Sequence, residues 1–392
     1  MEPVLPADDD PRRLEVRGWL QAHPEPTGRQ LAERGLVAPH WPPPWGWSAG
    51  PVEQLVVDDE LRRAGVERPF NPIGIGWAGP TLLQAGTDEQ RERWLWPMLA
   101  GEEVWCQLFS EPEAGSDLAA LTTRARRADG GWVVSGEKVW TSFAHRASFG
   151  ILLARTDPSA PAHRGLSYFV CPMGVPGVEV RPLIDMTGAH AFNQVRLDDV
   201  VVPADHLVGD EGDGWSLARV TLANERVSLS GEGALWGNGP TAADLLADVR
   251  ARGGVSDPVL RRRLVEVWSE GEILRWLRLR SLQAQLDGRP PGPEVSVRKV
   301  LADAHGQRLM ALGRDLAGPA GTVADGGIWA GGFLYSPALT IGGGTAEVQR
   351  NIVAERVLGL RREVEGRRGA ASPAAGARSG EASAASEGGV ER

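Results

Sequence analysis

Residues 105–117 read WCQLFSEPEAGSD and residues 132–142 read WVVSGEKVWTS, and the relation between these two stretches decides how the chain is organised. The first passes from an apolar run into a turn, Ser110 to Asp117, rich in the residues that turns favour. The second opens on a strand-like run, Trp132 to Val134, and ends on Trp140, Thr141 and Ser142. A basic, β-like run separates them, so the turn and the Trp-Thr-Ser segment stand one hairpin apart. That layout suits a flat heterocycle. Backbone amides and hydroxyls at the turn can meet the polar edge of a ring or a phosphate, while an indole covers a face. Taken alone, the turn reads as an ordinary surface loop; the second segment gives it chemical meaning.

Outward from this core the pattern has three parts. From Val104 to Val202, short runs rich in Val, Phe, Leu and Tyr are separated by Gly, Pro and Asp turns: Phe149 to Ala154, Leu166 to Cys171, Val178 to Leu183, Phe192 to Leu197. Their near-regular spacing predicts an antiparallel β unit. Before it the pattern is helical, over Leu14 to His23, Val52 to Ala64, Thr81 to Ala85 and Asp88 to Leu99. Thr87 supplies a cap oxygen ahead of Asp88 and Glu89, which suit the positive end of a helix dipole. After Gly214 the period is helical again, around Trp215 to Leu235, Pro258 to Leu286, Glu294 to Leu316 and Thr345 to Leu358. The expected divisions are a helical domain at 1–102, a β domain at 103–205, a helical bundle at 206–365 and a tail at 366–392. The tail has no large apolar residue except Val390, too little to offset the entropy of ordering, so it reads as disordered.

A chain of 392 residues exceeds most single cores, and 42% hydrophobic with 24% charged residues describes a soluble globular protein. A net charge of −9 argues against a nucleic-acid surface, although a local basic patch could hold a polyphosphate. Cys106 and Cys171 are the only cysteines, which gives neither a disulfide framework nor metal-ligand spacing. No apolar run approaches the ~20 residues of a membrane helix, and the N-terminus lacks the regions of a signal peptide. The expected location is cytoplasmic, with no metal, no membrane and no nucleic acid.

These motifs, with FNPIGIGWAGPTLLQAGTDEQRERWLWPMLAGE at 70–102 and IGGGTAEVQRNIVAERVLGL at 341–360, resemble the acyl-CoA dehydrogenase family of flavoenzymes in order and spacing, over roughly Leu14 to Leu360. The resemblance implies an α+β fold: a helical N-terminal domain, a central antiparallel β-barrel and a C-terminal four-helix bundle. It implies FAD as cofactor. Gln107, Phe109 and Ser110 match positions that contact the pyrimidine edge of the flavin, largely through main-chain groups. Ser116 matches the serine at the pyrophosphate and the thioester arm, Trp140 the flanking indole with Thr141 beside it, and Ser142 the hydroxyl on the hydride-accepting nitrogen. Thr345 and Glu347 fall where the family touches the adenosine-diphosphate half.

One departure matters most. Many members carry a catalytic glutamate immediately before the Gly-Thr pair, and this chain has Gly343 there, followed by Gly344. A subset places the carboxylate on a helix of the C-terminal domain, ahead of an arginine; here LANERVS at 222–228 gives Glu225 and Arg226. By itself Glu225 reads as a solvated helix residue, and the missing carboxylate at Gly343 turns the reading toward Glu225 as base. Ser116, Arg226 and Gly344 are the expected substrate contacts. The family's Arg-x-x-Phe-Gly and Gly-Gly-x-Gly elements, which reach FAD across a subunit interface, are replaced by RARGGV at 250–255 and LAGPAG at 316–321.

The implied activity is FAD-dependent α,β-dehydrogenation of an acyl-CoA or other acyl thioester, with electrons passed to an electron-transfer flavoprotein by a homo- or hetero-oligomer, a dimer or tetramer. A carboxylate takes the weakly acidic α-proton while hydrogen bonds hold the thioester oxygen. Two other readings stay open: a non-catalytic or FAD-poor subunit of a hetero-oligomeric dehydrogenase, and a flavin oxidase or monooxygenase of the same fold.

Overall fold

The computed structural model describes residues 5–228, 235, 239–287, 289, 292–323 and 327–361, with the side chains of 226–228 and 285–286 left out. The tail expected at 366–392 lies outside the described residues.

The N-terminal part is built from α1 (Pro11–Ala22), α2 (Gly28–Glu33), α3 (Pro51–Ala64), α4 (Gly79–Ala85) and α5 (Asp88–Ala100). Local chemistry sets their ends. Thr27 and Thr87 accept from the backbone N–H of Gln30 and Gln90, whose side chains reach back, so both helices open on capping boxes. Gly65 and Gly101 close α3 and α5 in the left-handed conformation. A π turn at Gly74–Ala78 runs directly into α4.

The middle part holds β1 (Trp105–Leu108), β2 (Arg124–Ala128), β3 (Gly131–Lys138), β4 (Phe149–Arg155), β5 (Leu166–Pro172), β6 (Val178–Leu183), β7 (Phe192–Pro203) and β8 (Leu207–Val208). The sheet runs β6-β7-β3-β2-β4-β5-β8, with β1 paired to β4. Most pairs are antiparallel, as expected, but β1 runs parallel to β4, and β2 touches β4 in parallel at Arg124–Arg155. The reason is connectivity: the turn at Ser110–Asp117 and the β2–β3 hairpin intervene between β1 and β4, and so long an excursion lets the strands run the same way. The sheet curls so that β5 approaches β7 around Leu152, Phe169, Val195 and Val200, while its other face packs on the N-terminal helices.

The C-terminal part consists of α6 (Gly214–Ser228), α7 (Ala242–Ala251), α8 (Pro258–Leu286), α9 (Glu294–Leu316), α10 (Gly327–Tyr335) and α11 (Ala346–Ile352). Its own core joins Leu245, Val267, Leu309, Met310 and Trp329. Of the helix expected at Trp215 to Leu235, α6 covers Gly214–Ser228 and residues 229–234 lie outside the described residues; α7 begins behind a Thr241 cap. In α11 the buried residues are Ala346 and Gln349, whereas Val348, Ile352 and Val353 are only half-buried. No helix among the described residues is long and apolar enough to cross a membrane.

Candidate active site

The last residue of β3 ties the turn that follows β1 to strand β4. Lys138 keeps the inward phase of Trp132 and Val134 and is fully buried. Its Nζ donates to the Phe109 carbonyl at 3.0 Å, to Glu111 Oε1 at 2.9 Å and to the Leu153 carbonyl at 2.9 Å. The Val139 N–H donates to the Ser110 carbonyl at 2.9 Å. Glu111 in turn accepts from Thr122 N–H, Thr122 Oγ1 and Thr123 N–H at 2.7, 2.8 and 2.9 Å. Burial alone would raise the Glu111 carboxyl, but the Lys138 ammonium and these donors hold it down at about 2. Burial pushes Lys138 down to about 8 against the pull of Glu111.

The residues expected to contact a flavin lie around this anchor. Gln107 lies on β1, and its Oε1 is buried with no hydrogen-bond partner among the described residues. Phe109 is buried edge-on to Tyr168, centroids 6.0 Å apart, so its ring is core and its carbonyl serves Lys138. Ser110 is half-buried and Ser116 exposed. On the other wall Trp140, at φ +59°, leaves 61% of its surface exposed and meets the edge of Phe192 at 5.8 Å. An indole this exposed, on a strained non-glycine backbone, is a surface waiting for a flat partner.

Thr141 is buried, and its Oγ1 also lacks a hydrogen-bond partner among the described residues; Ser142 is half-buried beside it. Asn193, fully buried at the start of β7, clamps this wall. Its carbonyl accepts from Thr141 N–H at 3.0 Å and its Nδ2 donates to the Thr141 carbonyl at 2.9 Å. Buried polar atoms are almost always paired. Among those that are not are Gln107 Oε1 on one wall and Thr141 Oγ1 on the other, beside the bare indole of Trp140, and these residues fit a planar ring with a polar edge.

Helix α6 is brought to the same place by a chain of hydroxyls. Thr221 Oγ1 lies 2.9 Å from Thr81 Oγ1 of α4 and 3.0 Å from the Tyr168 hydroxyl of β5, all three buried. Tyr168 is the residue that packs on Phe109. Glu225 follows Thr221 at the i+4 position, on the same helix face, and is half-buried with Oε2 withdrawn from solvent. The side chain of Arg226 lies outside the described residues.

The glycine-rich segment sits on the bundle, packed with α11 against α9. Gly343 and Gly344 have φ +66° and +88°, and Gln349 Nε2 donates to the Gly343 carbonyl at 3.0 Å. Thr345 caps α11 by accepting from Val348 N–H at 3.3 Å, and Glu347 is exposed beside Arg350. The structure therefore unites residues 107–110 and 140–142, brings α6 against Tyr168 behind them, and holds 343–347 on the bundle. Lys138 and Glu111 lie within the two stretches read for the flavin but carry no individual role in the sequence expectations, from which Asn193 and the Thr81–Tyr168–Thr221 junction are absent. A lysine on the inward phase of an apolar strand was the one signal that could have revealed any of them.

A curled β sheet carrying an exposed indole and set between two helical parts has the three-part order expected of the flavoenzyme family. The acyl-CoA dehydrogenase N-terminal domain matches residues 10–102, the middle domain 106–200 and the C-terminal domain 212–358. The acyl-CoA dehydrogenase FadE34 of Mycobacterium tuberculosis is 46% identical over 332 residues, 85% of this chain and 46% of FadE34, so the chain spans about half the length of that relative. IpdE1 of Mycolicibacterium smegmatis is 39% identical over 367 residues, 90% of either protein. Among solved structures, the Tcur3481-Tcur3483 steroid ACAD has a TM-score of 0.76 at 29% identity, over 93% of this chain and 100% of that one. The ChsE4-ChsE5 complex from Mycobacterium tuberculosis has a TM-score of 0.74 at 29% identity, with the same coverage. The chain belongs to the acyl-CoA dehydrogenase family, whose members are FAD-dependent oxidoreductases acting on acyl-CoA.

Proposed function

We propose that the chain catalyses α,β-dehydrogenation of an acyl-CoA with Glu225 as the base. The observation that carries this reading is the position of α6: Glu225 stands one turn beyond Thr221, whose hydroxyl joins the Tyr168 that packs on the flavin-edge loop. Gly343 offers no carboxylate, and its φ of +66° is a conformation that disfavours any side chain. In this reading Glu225 takes the α-proton of the thioester, and the half-burial of its carboxylate limits competition from water. Gln107, Ser110, Thr141 and Ser142 orient the flavin edge, Trp140 covers a ring face, and Ser116, Arg226 and Gly344 hold the thioester arm. Thr345 and Glu347 address the adenosine end. When bound, FAD supplies the two-electron acceptor for the β-carbon. An electron-transfer flavoprotein takes those electrons onward. A structural neighbour described as a steroid ACAD favours a bulky, steroid-linked acyl group over a short fatty chain.

Anaerobic titration with a panel of acyl-CoAs, read as loss of flavin absorbance, tests the reaction and its acyl preference. Glu225→Gln keeps the shape of the side chain but not its basicity. It is expected to retain FAD while flavin reduction slows by at least ~100-fold, the lower scale of general-base catalysis. Reduction at the wild-type rate would remove Glu225 from the mechanism.

A second reading is favoured by RARGGV at 250–255 and LAGPAG at 316–321, where the elements that cross a subunit interface are altered. Here the chain works with a related subunit that supplies part of the site, a reading supported by its likeness to the Tcur3481-Tcur3483 steroid ACAD and the ChsE4-ChsE5 complex. FAD uptake only on co-expression with such a subunit would support it.

A further inference from the structure

Of the chain's 42 basic residues only two are lysines, Lys138 and Lys299. Both are buried, with 0% and 3% of their side chains exposed, so every exposed basic position is arginine. A guanidinium is a broad planar fork, whereas an ammonium is a compact donor with three N–H groups. At Lys138 three acceptors from two segments, the turn after β1 and strand β4, converge on one point: the Phe109 carbonyl, Glu111 Oε1 and the Leu153 carbonyl. All three donors are used, and a guanidinium could not take this place without displacing the strands.

The consequence for the cleft follows from peptide geometry. In a trans peptide the carbonyl of Phe109 and the N–H of Ser110 point in opposite directions. With the carbonyl drawn inward to Nζ, the Ser110 N–H is turned outward, away from the buried cation. The next carbonyl, that of Ser110, is held by Val139 N–H, which registers the turn against the strand that runs on into Trp140. A buried ammonium is unfavourable unless paired and hydrogen-bonded, and here the pairing carboxylate comes from the turn being held.

We propose that Lys138 is the positioning residue of the flavin cleft: held by Glu111, its ammonium aims the Ser110 N–H into the cleft and fixes its spacing from Trp140–Ser142. Through that donor it tunes both the affinity for FAD and the reduction potential of the bound flavin. The proposal rests on the reading of this cleft as the FAD site.

The test uses the full chain with Lys138→Met and Glu111→Gln combined, which removes both charges and leaves no lone ion buried. The apoprotein is expected to melt close to wild type, while the FAD dissociation constant, measured by fluorescence quenching, rises about tenfold to a hundredfold, the scale of a lost charge-assisted hydrogen bond. The potential of the FAD-loaded variant is expected to become more negative, because a donor held by a cation favours the electron-rich reduced state. Lys138→Arg is expected not to restore either property. Glu111→Asp keeps both charges but draws the carboxylate back, and is expected to weaken FAD binding with the fold intact; it decides the matter if the double variant does not fold. Wild-type affinity and potential in a folded variant would overturn this proposal alone. A wild-type protein unable to bind FAD, alone or with a related subunit, would overturn it together with the cleft assignment.

Discussion

The two buried lysine–carboxylate pairs use the same chemistry in different ways. Lys138 and Glu111 lie 27 residues apart and tie β1, β3 and β4 together; Lys299 and Asp303 are neighbours within one turn of α9, with Nζ 2.7 Å from Oδ2 and 3.2 Å from the Leu339 carbonyl. Glu111 has backbone and hydroxyl donors besides its lysine and stands at about 2. At Asp303 burial outweighs Lys299, its hydrogen-bonded partner, and the carboxyl is pushed up to about 6. The number of donors around the anion, more than burial, separates a carboxylate locked in its charged form from one near its neutral form.

The largest effect should come from breaking one partner. Lys138→Met alone leaves Glu111 charged and buried, and is expected to cost about 3–5 kcal/mol of stability at neutral pH. Lys299→Met should cost less, and at pH 5 little, because Asp303 can take up a proton. Denaturant unfolding of both variants at pH 8 and pH 5 checks this, and equal losses at both pH values would erase the contrast.

A smaller effect appears on acidification. The folded-state pKa of Glu111 is depressed from 4.5 to about 2, so its contribution to stability is present above pH 4.5 and lost as pH falls toward 2. Glu111→Gln should flatten the stability curve in that window. The smallest effect has the opposite sign. Asp303 is raised from 3.8 to about 6, so the folded state binds its proton more tightly and stability falls as pH rises through that interval. Thermal melts of Asp303→Asn across pH 4 to 7 should lack that decline.

The order helical, β, helical was legible because each part carries its own local signal. Val178–Leu183 has the same bounds in sequence and structure, and the Thr87 cap needs nothing beyond its own first turn. The turn at Ser110–Asp117 and the exposed Trp140 were legible for a related reason: glycine, serine and an indole declare themselves where they stand. Lys138, Asn193 and Thr221 were not, since their meaning depends on partners far along the chain. Asn193 meets the backbone of Thr141 across 52 residues. The parallel course of β1 likewise depends on what the intervening segment does, which no strand pattern records.

The hydroxyl junction of Thr81, Tyr168 and Thr221 spans 140 residues between its first and last members. During synthesis the first two hydroxyls emerge well before the third, and contacts of such long sequence separation are late and slow to form. Until α6 leaves the ribosome, the seam between the N-terminal helices and the sheet lacks the Thr221 hydroxyl that meets both Thr81 and Tyr168 in the folded chain. Birth order thus ties maturation of the cleft to the arrival of the helix that bears Glu225, and a chain truncated before it would leave that seam open to aggregation.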